Sequence, residues 1–259
     1  MATVIYDSPI FGPVKSRRFG ISLGINLMPG DGKICTFDCI YCECGLNKDF
    51  RPKEKRPSRE EVKGALQNKL VEMKSEGLLP NVLTFAGNGE PTAHPDFAGI
   101  IDDVVALRDE LCPECKITVL SNATMLHKKD VVDALMKVDN NCQKIDTVST
   151  DYIFRLDRPQ NPNYRVEEVI EQICQFHGKV VIQSMFLEGE YDGKCISNTG
   201  EEYVAPWLEA LNKMSPERVM IYTIDRETPV EGLQKASPET LDSIAEMVRN
   251  VGFNCSVSY

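Results

Sequence analysis

Residues 35–42, Cys-Thr-Phe-Asp-Cys-Ile-Tyr-Cys, are the stretch of this chain that decides its fold and its chemistry. Three thiols follow one another here at spacings of four and three residues. Thiolates are soft ligands that hold iron–sulfur clusters or zinc. Three thiolates around a four-iron cluster leave one iron without a protein ligand, and an open position is typical of a catalytic metal centre. The stretch therefore predicts a metal site that keeps one coordination position open.

A closed metal site is the alternative, because a fourth thiol, Cys44, follows two residues later. Cys44 would then complete a structural zinc site or a ferredoxin-like cluster. Zinc ribbons usually supply two Cys-x-x-Cys pairs on neighbouring hairpins. The only other close pair, Cys112 and Cys115, lies far along the chain. The spacing therefore favours the open site, and a second metal at Cys112 and Cys115 stays an open question.

Length and composition point to one domain that spans residues 1–259. No apolar run has the roughly 18 residues that a transmembrane helix needs, so no membrane partner is expected. Residues 1–6 lack the basic and apolar regions of a signal peptide. Ten cysteines without an export signal indicate the reducing cytoplasm and thiols that are free or bound to metal.

Charge argues against general nucleic-acid binding, because the chain carries a net charge of −10 and such binding depends on cations that neutralise phosphates. Residues 48–59, KDFRPKEKRPSR, are a local exception with six Lys or Arg against two acids. They form either a solvated loop ahead of a helix or a contact for an anionic substrate. Arg17 and Arg18 are similarly either surface charge or a site for a carboxylate or phosphate.

Apolar runs alternate with helical segments along the chain, which is typical of βα units and a parallel sheet. Serine caps predict helix starts at Ser58 and Ser237, and Thr199 opens a predicted capping box. The sequence thus predicts an α/β fold. The predicted strands cover residues 18–27, 81–86, 116–120, 144–149, 179–187, 218–224 and 253–258.

Polar groups at or near strand ends are the candidate functional residues. Residues 87–90, Gly-Asn-Gly-Glu, follow a predicted strand, and glycines there let the backbone approach a ligand closely. Lys144 and Asp146 lie two apart on one predicted strand and therefore share a face. Because buried charges need partners, this pair either acts on the substrate as catalytic residues or neutralises itself.

Five stretches resemble the radical S-adenosylmethionine (SAM) superfamily, and within it the branch related to the tRNA wyosine synthetases. An aromatic residue before the third cysteine, here Tyr41, is part of that resemblance. It implies a partial (β/α)6 TIM-like barrel. One departure is that no cysteine precedes Cys35, whereas wyosine synthetases carry a second cysteine set there. The matching stretches are GPVKSRRFGISLG (12–24), CTFDCIYCECG (35–45), TFAGNGEPTAHPDF (84–97), VLSNAT (119–124) and IYTIDRETP (221–229).

The resemblance implies that Cys35, Cys39 and Cys42 hold a [4Fe-4S] cluster, with SAM bound at the open iron. It also implies that a ring of residues at the strand ends contacts SAM. By the position of their motifs these residues are Tyr41, Gly87, Asn88, Gly89, Glu90, Ser121, Asn122, Gln183, Met185, Tyr222 and Ile224.

The chemistry that follows from the resemblance is radical formation. One electron, from a donor such as flavodoxin or ferredoxin, cleaves SAM to a 5′-deoxyadenosyl radical, which abstracts hydrogen from a small-molecule or nucleotide substrate. Residues 188–200 are the expected lid over this site. Two alternatives are an activase that makes a glycyl radical on a partner protein, and a non-catalytic zinc or iron–sulfur electron carrier.

Overall fold

The computed structural model describes residues 3–16 and 20–259. Arg17 and Arg18, and with them the anion site considered above, lie outside the described residues. The helices are α1 (Arg59–Ser75), α2 (Phe97–Leu111), α3 (Lys129–Leu135), α4 (Thr150–Leu156), α5 (Val166–Cys174), α6 (Glu201–Met214) and α7 (Pro238–Asn250). The strands are β1 (Ile10–Ser16), β2 (Gly20–Ile25), β3 (Val82–Phe85), β4 (Lys116–Ser121), β5 (Asn140–Lys144), β6 (Val181–Met185), β7 (Leu187–Tyr191), β8 (Lys194–Cys195), β9 (Arg218–Tyr222), β10 (Leu233–Lys235) and β11 (Cys255–Ser258).

An eight-stranded sheet in the order β1-β2-β3-β4-β5-β6-β9-β11 forms the centre of the protein. All neighbours in it pair in parallel except β1 with β2. The six strands from β2 to β9, with helices between them, curl into a half-barrel. This architecture confirms the predicted α/β class and the partial (β/α)6 TIM-like barrel.

The hydrophobic core lies between the outer face of the sheet and the helices. Helix α1 buries Val62, Leu66, Leu70 and Met73, whose spacing places them on one face. Its predicted start is confirmed, because Ser58 and Glu61 form a reciprocal capping box. Helix α7 likewise begins after the predicted cap at Ser237.

Two strands of the central sheet differ from the sequence-based prediction. The sequence predicts no strand before residue 18, but residues 10–16 form β1, which pairs antiparallel with β2 and has a register irregularity between Phe11 and Val14. Proline is tolerated in an edge strand beside such an irregularity. The strand predicted at 144–149 is also wrong, since β5 covers Asn140–Lys144. The sequence of β5, NNCQK, is polar and has a weak β-strand propensity. Its pairing with β4 and β6 outweighs that propensity.

The segment expected to form a lid is a small sheet instead of an irregular loop. Strands β7 and β8 form a hairpin within it, and β10 pairs with β7 on the other side. The predicted capping box at Thr199 is wrong, because α6 has Gly200 at its N-cap without a side-chain hydrogen bond. The single-domain organisation stays a prediction. None of the helices within residues 3–16 and 20–259 has the length and apolar character that crossing a bilayer needs.

Candidate functional site

The cysteine loop, residues 33–45, lies over the carboxyl ends of the barrel strands and is held from one side by the loop after β3. Ile34 donates from its amide to the Asn88 carbonyl at 3.0 Å, and its own carbonyl accepts from the Glu90 amide at 3.3 Å. Gly89 has φ +149°, and a Cβ there would lie 1.8 Å from the Ile34 oxygen. Glycine is therefore required at 89 by the approach of the cysteine loop.

The connection between α4 and α5 holds the other side of the cysteine loop through backbone hydrogen bonds. The amides of Asp38 and Ile40 donate to the carbonyls of Asp157 and Leu156, each at 2.9 Å. Asn47, which follows the loop, adds two hydrogen bonds to it. Its side-chain amide donates to the carbonyls of Cys35 at 3.1 Å and Phe37 at 3.0 Å. The thiols are thus displayed on a backbone that is bonded on both sides.

The three predicted ligands, Cys35, Cys39 and Cys42, are half-buried thiols on this one loop. Burial raises the pKa of Cys35 to about 12 and raises that of Cys39. A hydrogen bond from Cys44 lowers the pKa of Cys42. Within residues 3–16 and 20–259 no three His, Cys, Asp or Glu side chains are grouped to hold a single metal ion. A donor set of three thiols on one loop fits a cubane, which spreads its ligands over several irons.

Lys33, which the sequence analysis missed, supplies a buried positive charge to the thiols. Its side chain is 2% exposed, and its ammonium donates to the Gly45 carbonyl at 2.6 Å. Burial lowers the pKa of Lys33, but the Cys42, Cys35 and Cys39 thiolates outweigh that effect and raise it overall. The Asp38 carboxylate lies 3.8 Å away. The ammonium therefore remains charged and faces the place where a thiolate-bound cluster would sit.

Cys44, the fourth thiol of the closed-site alternative, is buried beside Cys42. Its sulfur lies 3.4 Å from the Gly87 carbonyl oxygen and within hydrogen-bonding reach of Cys42, and its single S–H donates to one of the two at a time. These contacts place Cys44 against the loop after β3. Its place next to a predicted ligand makes Cys44 the residue on which the two interpretations of the metal site can be separated.

A cavity of about 380 Å³ inside the half-barrel begins at Cys42 and collects predicted residues from distant parts of the chain. Its wall includes a hydroxyl pair, Ser22 and Thr84, at 2.8 Å. The volume is that of a small-molecule site, and its position at the carboxyl ends of the strands is typical of barrels. The predicted SAM contacts that line this cavity are Tyr41, Gly87, Met185, Tyr222 and Ile224.

Other predicted SAM contacts are engaged with the protein itself. The buried Glu90 carboxylate accepts from Thr92 and, at 2.7 Å, from the Asn122 amide. The side chain of Asn122 donates to the Thr36 hydroxyl at 2.8 Å and lies 3.7 Å from the Cys35 sulfur. Burial raises the pKa of Glu90. These two residues join the ends of β3 and β4 to the cysteine loop.

Asn88, Ser121 and Gln183 complete the predicted set. Asn88 is fully buried, and its amide group binds the backbone of Tyr6 at 2.8 Å through both its oxygen and its nitrogen. Ser121 accepts from the Ala123 amide at 3.0 Å. Gln183 lies on β6 in register with Lys144. The structure therefore places these residues beside the site, and their contact with SAM stays a prediction.

Lys144 and Asp146 form a buried charge network below Cys39. The Lys144 ammonium lies 3.0 Å from Asp146 and contacts Asp157. Asp146 also accepts from the Tyr41 hydroxyl and, at 2.9 Å, from the Met185 amide. Burial lowers the pKa of Lys144, but the two carboxylates outweigh it and raise it. The prediction of an inward pair is consistent with this geometry, although Asp146 follows β5 rather than belonging to a strand.

Asp157 is the second member of this site that the sequence analysis missed. One of its oxygens lies 3.5 Å from the Cys39 sulfur, which is 118 residues away in sequence. Burial raises the pKa of Asp157. No local pattern signals this contact, since a lone acid at the end of a short helix is usually a surface residue.

Two further features lie apart from the barrel cavity. A groove of about 460 Å³ runs from Thr36 and Thr124, whose hydroxyls are 2.7 Å apart, along residues 159–172. The buried thiols of Cys112 and Cys115 hydrogen-bond to each other where β4 begins, at the opposite end of the strand from the cysteine loop. This bond lowers the pKa of Cys112.

Comparison with known proteins agrees with the fold and with the cysteine motif. The family described as the radical SAM superfamily matches residues 31–196. A "UPF0026 protein" of Helicobacter pylori is 30% identical over 236 residues, which cover 90% of this chain and 71% of the relative.

Solved structures resemble the half-barrel at low sequence identity. This likeness supports the fold and carries no information on the reaction. A radical SAM methyltransferase from Sphaerobacter thermophilus has a TM-score of 0.67 at 17% identity, over 92% of this chain and 66% of that protein. A structure of TYW1 with a lysine-pyruvate adduct has a TM-score of 0.59 at 14% identity, over 88% of this chain and 73% of that protein.

Proposed function

The chain belongs to the radical SAM superfamily, and we propose that Cys35, Cys39 and Cys42 hold the [4Fe-4S] cluster of this enzyme while SAM occupies the 380 Å³ cavity. The observation that carries the proposal is the position of Cys42, which is both a member of the thiol set and part of the cavity wall. A ligand in that cavity would lie against the thiol loop and against five strands of the barrel, β2, β3, β4, β6 and β9.

When bound, the cluster supplies one electron that cleaves SAM to methionine and a 5′-deoxyadenosyl radical, which abstracts hydrogen from the substrate. The residues of the chain bind, orient and shield the reactants. Met185, Tyr222 and Ile224 supply an apolar part of the cavity wall, to which Gly87 also belongs. Glycine is required at 87 by its φ of +120° and by the Asn26 side chain, which would lie 2.8 Å from a Cβ there. Glu90 and Asn122 fix the strand ends against the cysteine loop.

Lys144 and Asp146 are proposed to act on the reactants through Tyr41. The Tyr41 hydroxyl donates to Asp146, and Asp146 binds the Met185 amide, so the network positions two residues of the cavity wall. We also propose that Lys144 or Asp146 contacts the substrate directly and acts as a catalytic residue.

We further propose a small-molecule or nucleotide substrate, a one-electron donor such as flavodoxin or ferredoxin, and a location in the cytoplasm. The inner wall of the cavity offers the Ser22 and Thr84 hydroxyls to a polar substrate. All ten cysteines are free thiols, which agrees with a reducing compartment.

The decisive experiment is SAM cleavage by anaerobically reconstituted protein with dithionite, measured as 5′-deoxyadenosine. We expect cleavage by the wild type and none by Cys39→Ala, because the loss of one thiolate removes a cluster ligand. Cleavage that survives in Cys39→Ala would contradict the proposal.

Cys44→Ala is the matched control and separates the open site from the closed one. We expect this variant to keep about the wild-type iron and sulfide content and to cleave SAM, because Cys44 in the proposed site contacts Gly87 and Cys42 and has no iron to bind. If Cys44→Ala loses its metal as completely as Cys39→Ala, or if the wild type binds one zinc without sulfide, the closed site is correct.

A further inference from the structure

A basic loop next to the thiols has no role in the function proposed so far. We define the basic loop as Lys48, Arg51, Lys53, Lys55 and Arg56, of which all except Arg56 are exposed. None of them lines the barrel cavity. A substrate inside the barrel would therefore not touch this loop, and the anionic-substrate contact considered from the sequence does not account for its charge.

The cations of the basic loop differ from most other cations of the described chain in lacking carboxylate partners. Elsewhere on the surface, Lys63 lies 3.3 Å from Asp103, Lys116 lies 3.2 Å from Asp139, and similar pairs involve Lys129, Lys137 and Lys213. In residues 3–16 and 20–259 no carboxylate oxygen lies within 4.0 Å of a basic-loop nitrogen. The loop thus presents positive charge on a protein whose net charge is −10.

The basic loop is fastened directly to the cysteine loop. The Lys33 amide donates to the Phe50 carbonyl at 2.7 Å, and the Asp31 carboxylate accepts from the Lys53 amide at 2.8 Å and from the Glu54 amide at 3.2 Å. The Phe50 ring packs so closely on Gly45 that a Cβ there would lie 2.5 Å from it. The backbone that carries the exposed cations is therefore anchored, and one hydrogen bond joins it to the backbone of Lys33.

We propose that the basic loop is the docking surface for an acidic protein that carries one electron and reduces the cluster. This inference rests on the proposed function. Charge complementarity steers such an encounter and raises its rate by about 10- to 1000-fold at low salt. Docking here brings the partner to the outer side of the cysteine loop while SAM and substrate occupy the inner side.

Nucleic acid is the other polyanion that a basic loop could bind, and the loop lacks a feature that such binding uses. Proteins that hold single strands stack bases on exposed aromatic rings. The only aromatic residue in 47–59 is Phe50, whose ring is packed against Gly45. Residues 47–59 therefore offer charge without a free aromatic ring for stacking, which favours a protein partner.

The test compares two double charge reversals in the reconstituted holoenzyme. Arg51→Glu with Lys55→Glu changes the basic loop. Lys74→Glu with Lys179→Glu changes the net charge equally at exposed positions near the other end of the barrel: Lys74 lies in the last turn of α1, which leads to β3, and Lys179 lies just before β6. The probe is a strongly acidic flavodoxin kept reduced by its reductase, and the readout is the stopped-flow rate of cluster reduction as a function of flavodoxin and salt concentration.

We expect the basic-loop variant to lower the second-order reduction rate about 10-fold or more at low salt and to flatten its salt dependence. The control variant should keep both near the wild-type values. SAM cleavage with dithionite should be unchanged in both variants, because dithionite needs no docking surface. If the proposed function itself is wrong, the wild type will already fail to cleave SAM in this dithionite assay. Equal effects of the two double reversals, or a wild-type rate insensitive to salt, would overturn the inference. Loss of tRNA binding in the basic-loop variant at an unchanged flavodoxin rate would also overturn it.

Discussion

Two lysines with little solvent exposure lie on different sides of the thiols, and they are used in different ways. Lys144, on the barrel side, lies between the carboxylates of Asp146 and Asp157. Lys33, on the outer side, donates to a backbone carbonyl, and Asp38, at 3.8 Å, is the one carboxylate within 4.0 Å of it among the described residues. The barrel side therefore carries one cation against two anions, whereas the outer side carries a cation that no carboxylate contacts closely.

The comparison teaches that a buried ammonium has two distinct physical uses at one site. Between two carboxylates, Lys144 makes their burial tolerable, because an unpaired buried charge is expensive. Beside three thiols, Lys33 offers its charge to the cluster ligands themselves. Removing Lys144 should therefore be felt mainly in stability, and removing Lys33 mainly in the reduction potential of the cluster.

The largest effect is expected for Lys144→Met. This change leaves Asp146 and Asp157 buried without their cation, and breaking such a network costs about 3–5 kcal/mol. Urea unfolding monitored by circular dichroism measures the loss. The double variant Lys144→Met with Asp157→Asn should recover part of it, because it removes one of the stranded charges. A Lys144→Met protein as stable as the wild type would remove the contrast between the two lysines.

Lys33→Met should act on the cluster potential. Reduction adds negative charge to the cluster, so loss of a nearby cation disfavours the reduced form and lowers the midpoint potential. A buried pair of charges at an effective dielectric near 20 interacts by about 2–4 kcal/mol, which is a shift of about 90–170 mV for one electron. An EPR-monitored redox titration measures it.

Lys33→Arg is the matched control for this variant, because it keeps the charge and should keep the potential near the wild-type value. In Lys144→Met with Asp157→Asn the net charge is conserved, so its potential should move much less than that of Lys33→Met. Equal shifts in the two would show that the cluster does not distinguish the two lysines.

The smallest effect is expected for Asp38→Asn, which removes the one carboxylate near Lys33. The potential should rise, since an anion near the cluster is lost, but by less than half of the Lys33→Met shift. The reason is that Asp38 lies between two cations, Lys33 at 3.8 Å and Arg158 at 3.9 Å, which already offset its charge. The amide still accepts the bond from the Asn47 backbone, so the loop should hold. The same redox titration checks the sign, and a lowered potential would contradict the assignment.

The parts of the site that were predictable are those held together by short stretches of chain. The three thiols share one loop because their spacing keeps them there, and Gly87 was expected at the cavity because it follows a strand end. Gly89 was expected for a related reason, although the close approach there is made by Ile34 instead of a ligand. Lys33 could have been predicted as a neighbour of the thiols in the same way, because it lies only two residues before Cys35.

The order of strands and helices along the chain was predictable from the sequence. Strands of unusual composition were predicted less well. The sequence predicts the apolar strands β3, β4, β6 and β9, but it places the polar strand β5 too late and does not predict β1. In both cases pairing with neighbouring strands decides the structure, and single-sequence propensity does not contain that pairing.

By itself the sequence determined the thiol set, the alternation of strands and helices, and the concentration of cations at residues 48–59, because each is a property of contiguous residues. Only the tertiary structure decided which groups surround the thiols. Asp157 reaches Cys39 across 118 residues, and Asp146 reaches Tyr41 across 105. Buried charges take whichever partners the packed strands and loops bring within a few ångströms, and that choice is made by the folded barrel as a whole.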